Sequence, residues 1–257
     1  MVASIQAVAV IDLGMCDQPG ERLASRYVQR SLKGQNLLWR MVRQLQESQL
    51  VQNLCISGAA IPDSIGGAGI PGTELLNLPQ SHLIDRLAAA AERSQAEWIV
   101  YVRGNRPFVD PVLVDRLLAE AQQHDECDYV GFFSKAGGWR RMAHLGLAGE
   151  VCHVDSLRRL RRHIEHVTPL VDDECLATFF QDAEGMFQMR FIAVPTELDR
   201  SDLRFAVESE DDWDDIQSLG DALPADEMQW QTIAMRVLAN ATMREGMESR
   251  NGGDVTA

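Results

Sequence analysis

Short apolar runs and longer helix-patterned stretches alternate along nearly the whole chain, and that alternation leaves few architectures open. Ala7 to Ile11 reads AVAVI, a run too short for a helix and apolar enough for a strand buried on both faces. Asn36 to Leu50 follows with a helical stripe of Leu37, Leu38, Met41, Val42 and Leu45. Leu54 to Ser57 is a second short strand, a glycine-rich loop runs from Gly58 to Gly72, and Leu75 to Leu78 is a third strand. Ser81 is placed to cap a helix reaching Arg93, after which Trp98 to Val102 (WIVYV) is the clearest central strand. Asp110 and Pro111 read as N-cap and first turn of a helix to His124. Tyr129 to Phe133 is again a strand. Leu145 to Asp155 reads as strand and turn, with helices over Ser156–His163 and Val167–Phe180. Strands over Met189–Val194 and Leu203–Val207, a helix over Asp211–Leu219 and a final helix over Met228–Met243 complete the pattern, with fraying expected after Gly246. Strands alternating with helices predict an α/β fold in three layers, a mostly parallel sheet covered on both faces. Ligands of such sheets bind beyond the carboxyl ends of the strands, here the loops after Ile11, Ser57 and Val102. No internal repeat and no long linker interrupts the series, so residues 1–225 read as one domain followed by a C-terminal helix and tail over 226–257.

Charge and cysteine content narrow the function. A formal net charge of −14 disfavours polyanion partners, so nucleic acid is not expected. Acid concentrates between Glu197 and Glu227, whereas Arg22 to Arg43 is basic and could hold a small anion or simply form a solvated helix face. Cys16, Cys55, Cys127, Cys152 and Cys175 are odd in number and form no C-x-x-C pair, which argues against a disulfide framework and a cysteine zinc site and favours a reducing, cytoplasmic setting. No signal peptide or membrane-length apolar stretch is expected.

Two loops invite a phosphate reading. Gly67, Gly69 and Gly72 satisfy G-x-G-x-x-G literally, but the motif stands well beyond the strand, contains Pro71 and leads into TELLNLP rather than a helix, so a dinucleotide role is set aside. The loop after the first strand, DLGMCDQPGERLASR, places Pro19-Gly20 ahead of a basic run. Glycine lets backbone N–H groups approach a phosphate, and arginines supply charge.

Four further segments occur in a telling order: GNRPFVDP (104–111), GLAGEV (146–151), EHVTPLV (165–171) and LRFAVESED (203–211). Together with the first loop, the ordered set resembles the cytidylyltransferase family that includes acylneuraminate and KDO cytidylyltransferases, especially its spore-coat-polysaccharide branch. The resemblance runs from about residue 5 to 220. It implies a nucleotide-diphospho-sugar transferase-like, Rossmann-like fold, and an enzyme that joins CMP from CTP to a sugar acid and releases pyrophosphate in surface polysaccharide biosynthesis. It further implies Mg²⁺, and a homodimer among the partners, with neither nucleic acid nor membrane. Carried over residue by residue, Asp12, Leu13, Gly14, Pro19, Gly20, Glu21 and Ser57 fall at the nucleotide. Arg22 and Arg106 are the candidate catalytic cations, Asn105 and Glu208 fall at the metal, and His166 and Thr168 fall near the sugar.

The departures from the family pattern concentrate on charged positions. Asp12 to Met15 contains no cation where relatives have an arginine, and Glu21 stands at a lysine position, an unfavourable change of about two charge units near phosphate. Asn105 replaces an aspartate and brings an oxygen without charge; Arg106 beside it repels a metal but suits phosphate. Ala148 stands at another aspartate position. Several of these residues also have plain structural roles: Asn105 in a turn, Asp110 as an N-cap, Glu208, Glu210 and Asp211 at a helix start, His166 and Thr168 at a helix entry. The alternative to an active enzyme is a catalytically inactive relative with a binding or regulatory role. A glycosyltransferase ranks third, because Asp125-Glu126-Cys127-Asp128 is not a D-x-D metal motif.

Overall fold

The computed structural model describes residues 6–14, 27–58, 61, 70–78, 82–124, 126–164, 175–183, 185–224 and 228–253. Seven strands form one sheet in the order β5-β4-β1-β6-β8-β7-β9. These are β1 (Ala7–Asp12), β4 (Asn53–Gly58), β5 (Thr73–Asn77), β6 (Trp98–Arg103), β7 (Tyr129–Phe133), β8 (Glu150–His153) and β9 (Met189–Ala193). β1 is buried at every position and pairs in parallel with β4 on one side and β6 on the other. β8 alone runs against its neighbours, antiparallel to both β6 and β7. The sheet is therefore mostly parallel, as expected.

Alternate side chains of the strands feed two apolar layers. On one face Ala7, Ala9, Ile11, Val100 and Val102 meet α1 (Leu37–Gln46) and α3 (Pro111–Gln122). On the other, Val8, Val10, Ile99, Tyr101 and Cys152 meet α2 (Leu83–Ser94), α5 (Val154–Ile164) and α6 (Leu176–Asp182). This is the three-layer α/β arrangement.

Local chemistry explains the boundaries. Asn36 caps α1 by accepting the N–H groups of Leu38 and Trp39, and Asp110 caps α3 ahead of Pro111. α7 (Glu210–Ala222) opens on a reciprocal box between Ser209 and Asp212. Ser81 lies outside the described residues; the N-cap of α2 is His82, which makes no side-chain cap bond. The helix expected over Val167–Phe180 does not pass through Cys175, which is extended, and α6 begins after it. A tight hairpin of β2 (Ser31–Leu32) and β3 (Gln35–Asn36) and a short α4 (Arg141–Leu145) were not foreseen.

Two expectations need correcting. Leu203 to Val207 is not a sheet strand: the N–H groups of Phe205 and Ala206 go to His144 O, and that of Val207 goes to Asn105 O at 2.9 Å. Its alternating apolar residues are buried all the same, so the pattern was real while its partners are loops. The final helix over 228–243 is two helices, α8 (Trp230–Leu238) and α9 (Ala241–Gly253), because the Asn240 side chain accepts the Met243 N–H and starts a new helix. α9 continues past Gly246, and Met247 is fully buried in the main core.

Candidate functional site

Register brings three strand ends together. Asp12 is level with Ser57 on β4 and with Arg103 on β6, so the loops after β1, β4 and β6 leave the sheet side by side. Gly104 makes that convergence close: its N–H donates to Asp12 O at 2.8 Å, and a Cβ there would meet Leu13 Cδ2 at 2.8 Å.

Beneath these loops lies a buried charge pair. Asp12 accepts Nε and Nη2 of Arg86 at 2.7 and 2.8 Å and the Ser57 hydroxyl at 2.7 Å. Arg86 is 1% exposed and Asp12 is 2% exposed, so each charge depends on the other. Leu13 is buried and gives its N–H to Ser57 O at 2.8 Å; Gly14 then turns with φ 78. The Asp12 and Ser57 side chains are thus engaged with each other, and Leu13 is tied to Ser57 through its backbone. Pro19, Gly20, Glu21 and Arg22 lie outside the described residues, as do His166 and Thr168.

The turn after β6 holds the next candidates. Asn105 is 4% exposed, and its side-chain oxygen has no hydrogen-bond partner in the structure. Arg106 is equally buried; Nη1 donates to Ala148 O at 2.6 Å, while Nε has no partner. A buried acceptor and a buried donor, both unsatisfied, stand on adjacent residues of this turn. Asp110 behaves as the N-cap reading expects, and its second oxygen accepts the Trp230 N–H at 3.0 Å.

Glu208 is held rather than open. Arg204 donates to its Oε2, and His144 Nδ1 stands 3.4 Å from the same oxygen. Burial pushes the Glu208 carboxyl up, but the hydrogen bond from His144 and the charges of Arg204, His144 and Arg103 outweigh it and hold it below the ordinary value. Glu208 and Asn105 are brought together through the Val207–Asn105 backbone bond. They do not make a Mg²⁺ site: one is uncharged, the other is engaged by a guanidinium, and Arg106 adjoins. Among the described residues no three His, Cys, Asp or Glu side chains converge as metal ligands.

Three polar residues escaped the sequence reading. Arg86 carried a signal, since it sits on the apolar stripe of α2 between Leu83, Leu87 and Ala90. Glu150, at the start of β8, accepts the Tyr129 hydroxyl at 2.8 Å and the N–H groups of Leu176 and Ala177 at 3.2 and 2.8 Å. Burial pushes its carboxyl up, against the charge of Arg106 and these donors. Arg204 lay in a segment read as a strand, which hid its role. A groove lined by Val8, Asn53, Cys55, Thr73 and Arg93 lies at the opposite, amino edge of the strands and offers none of these groups.

No protein-family model matches the chain. Over 142 residues it is 23% identical to the spore coat polysaccharide biosynthesis protein SpsF of Bacillus subtilis (strain 168), an alignment that covers 54% of each protein. The chain thus spans about half the length of the curated relative it matches. Its fold is similar to that of a cytidylyltransferase from Leptospira borgpetersenii serovar Hardjo-bovis (strain JB197), with a TM-score of 0.74 and 16% identity over 93% of this chain and 96% of that one. It is also similar to CMP:2-keto-3-deoxy-manno-octonic acid synthetase complexed with CTP, with a TM-score of 0.57 and 12% identity over 86% and 99%. A manganese complex of Rv0371c from Mycobacterium tuberculosis H37Rv gives a TM-score of 0.57 and 15% identity over 83% and 98%. The resemblance read from the ordered motifs holds: the sequence relative is a spore coat polysaccharide biosynthesis protein, and the fold is similar to that of cytidylyltransferases. No helix among the described residues is long and apolar enough to cross a membrane.

Proposed function

We propose that this chain is a cytidylyltransferase that transfers CMP from CTP to a sugar acid in surface polysaccharide biosynthesis, working in the cytoplasm. The observation that carries the reading is the meeting of the loops after β1, β4 and β6 at one sheet edge, with Asn105 Oδ1 and Arg106 Nε buried and unsatisfied in the third. An uncharged acceptor beside a cationic donor suits a ligand that combines hydroxyl or amino groups with phosphate. The relative in spore coat polysaccharide biosynthesis and the neighbour complexed with CTP supply the substrate class.

In the reaction a sugar oxygen bonds to the α-phosphorus of CTP, the bond to the β-phosphate oxygen breaks, and pyrophosphate leaves as the sugar hydroxyl loses its proton. Arg106 is assigned to charge developing on the phosphates, a role in which a fixed cation in a low-dielectric turn is effective. Arg22 is assigned to the triphosphate from the first loop, with Pro19, Gly20 and Glu21 shaping that loop and Gly14 as its pivot. Asp12, Leu13 and Ser57 support the loop from below. His166 and Thr168 are assigned to the sugar. Asp12 and Arg86 neutralise each other, so the pair braces the site without adding net charge.

A thermal-shift panel of the four nucleoside triphosphates tests the reading. CTP at about ten times its Kd should stabilise by about 1.4 kcal/mol, a rise of about 3 °C, while the other three move Tm less. Release of pyrophosphate from CTP with a sugar acid such as KDO should follow. Equal shifts from all four nucleotides, or a response confined to nucleotide-sugars, would overturn it. Binding of CTP without turnover would instead select the inactive relative.

A further inference from the structure

The metal reading and the structure disagree at Glu208, and the disagreement has a specific cause. Arg204 is buried, 5% exposed, and its guanidinium is divided among at least three partners. Nε donates to Asp212 Oδ1 at 3.0 Å, Nη1 to Asn251 Oδ1 at 3.2 Å, and Nη2 to Glu208 Oε2. Asp212 is 2% exposed and also takes Arg250 Nε at 2.8 Å and the N–H groups of Glu208 and Ser209 at 3.0 and 3.1 Å. Glu208 is therefore fixed through both its backbone and its carboxylate. A guanidinium held by at least two carboxylates and an amide is a permanent cation that does not exchange with solvent ions.

We infer that this site takes its ligand without an exchangeable divalent cation, because the Arg204 guanidinium already holds the Glu208 carboxylate and Asn105 brings no charge. Asn105 agrees with this: its amide oxygen brings no negative charge to attract a dication. Arg103 and Arg106 supply the same sign of charge from the β6 end and repel a dication. Arg204 acts here as a positioning residue that holds the Glu208 carboxylate. For its nucleotide the inference rests on the proposed function; for the absence of a divalent-ion site it does not.

Mn²⁺ is the probe, read by the electron paramagnetic resonance signal of the free ion with protein in excess. Wild type should leave that signal intact, and Asn105→Asp should change it little because Arg204 still holds Glu208. Asn105→Asp combined with Arg204→Met should take up one Mn²⁺ per chain, at least about tenfold more tightly than wild type. The CTP-induced rise in Tm of wild type should be the same in EDTA as in Mg²⁺. Uptake of Mn²⁺ by wild type that Asn105→Leu abolishes would overturn the inference. So would a CTP shift that EDTA removes, or a folded double variant that gains no Mn²⁺. If the double variant fails to fold, the wild-type measurements decide alone. If CTP never moves Tm, the nucleotide reading falls while the Mn²⁺ result still decides the ion site.

Discussion

At the scale of single residues, Glu150 shows what burial of a charge costs and how it is offset. Its carboxyl is pushed above the ordinary glutamate value of 4.5 by burial, while Arg106, Tyr129 and two backbone N–H groups pull the other way. A group raised in the folded state stabilises when protonated and loses that contribution as pH rises through its folded value. In urea denaturation, wild type should thus lose stability relative to Glu150→Gln as pH rises above the ordinary glutamate range. Parallel curves would show that the donors fully offset the burial. Residues of this kind were partly legible in the sequence. The uncharged Asn105, the carboxylate of Glu21 in the first loop and the apolar stripe around Arg86 are all visible in a line of text. That Glu208 faces His144 is not, because His144 arrives from a distant segment; Arg204 stands only four residues before Glu208, but reading that segment as a strand hid the pair.

At the scale of elements, caps do more than end helices. Asp110 starts α3 through the N–H groups of Val112 and Leu113 and also fastens the start of α8 through Trp230. Asp110→Ala should cost about 2–4 kcal/mol in chemical denaturation, from a lost cap and a buried N–H left without a partner. Asp110→Asn should recover most of it; a loss below about 1 kcal/mol for the alanine variant would mean water replaces these bonds. Strands and long helices were readable because a buried sheet demands continuous apolar runs and the covering helices demand a stripe. Leu203–Val207 misled because its apolar alternation matches a strand, whereas its backbone bonds go to His144 and Asn105. The break at Asn240 was signalled by its residue type, since asparagine favours caps over helix interiors.

At the scale of the whole molecule, the C-terminal helices belong to the same core as the sheet. Ile233, Ala234, Val237, Met243 and Met247 are all buried in it, and Arg250 and Asn251 reach the Asp212 and Arg204 cluster. A chain cut after Gly246 should lose about 3–5 kcal/mol and about 10 °C of Tm through the lost Met247 contacts and the broken ion pairs. A frayed tail would leave Tm unmoved. The sequence suggested fraying because α9 is rich in charged, polar and glycine residues; its stability comes from contacts with distant residues.

The reversed direction of β8 has one more consequence. The connection from β7 to β8, residues 134 to 149, leaves and re-enters the sheet at the same edge, like an arch with both feet on one bank. Its rear half is pinned: Arg141 to Arg200 O, His144 O to Phe205, Leu147 O to Asp110 and Ala148 O to Arg106. Its crown, residues 135 to 140, is largely exposed, and Gly138 turns there with φ 68. Length can be added at that crown without shifting the register of any strand, so this is where the scaffold tolerates insertion.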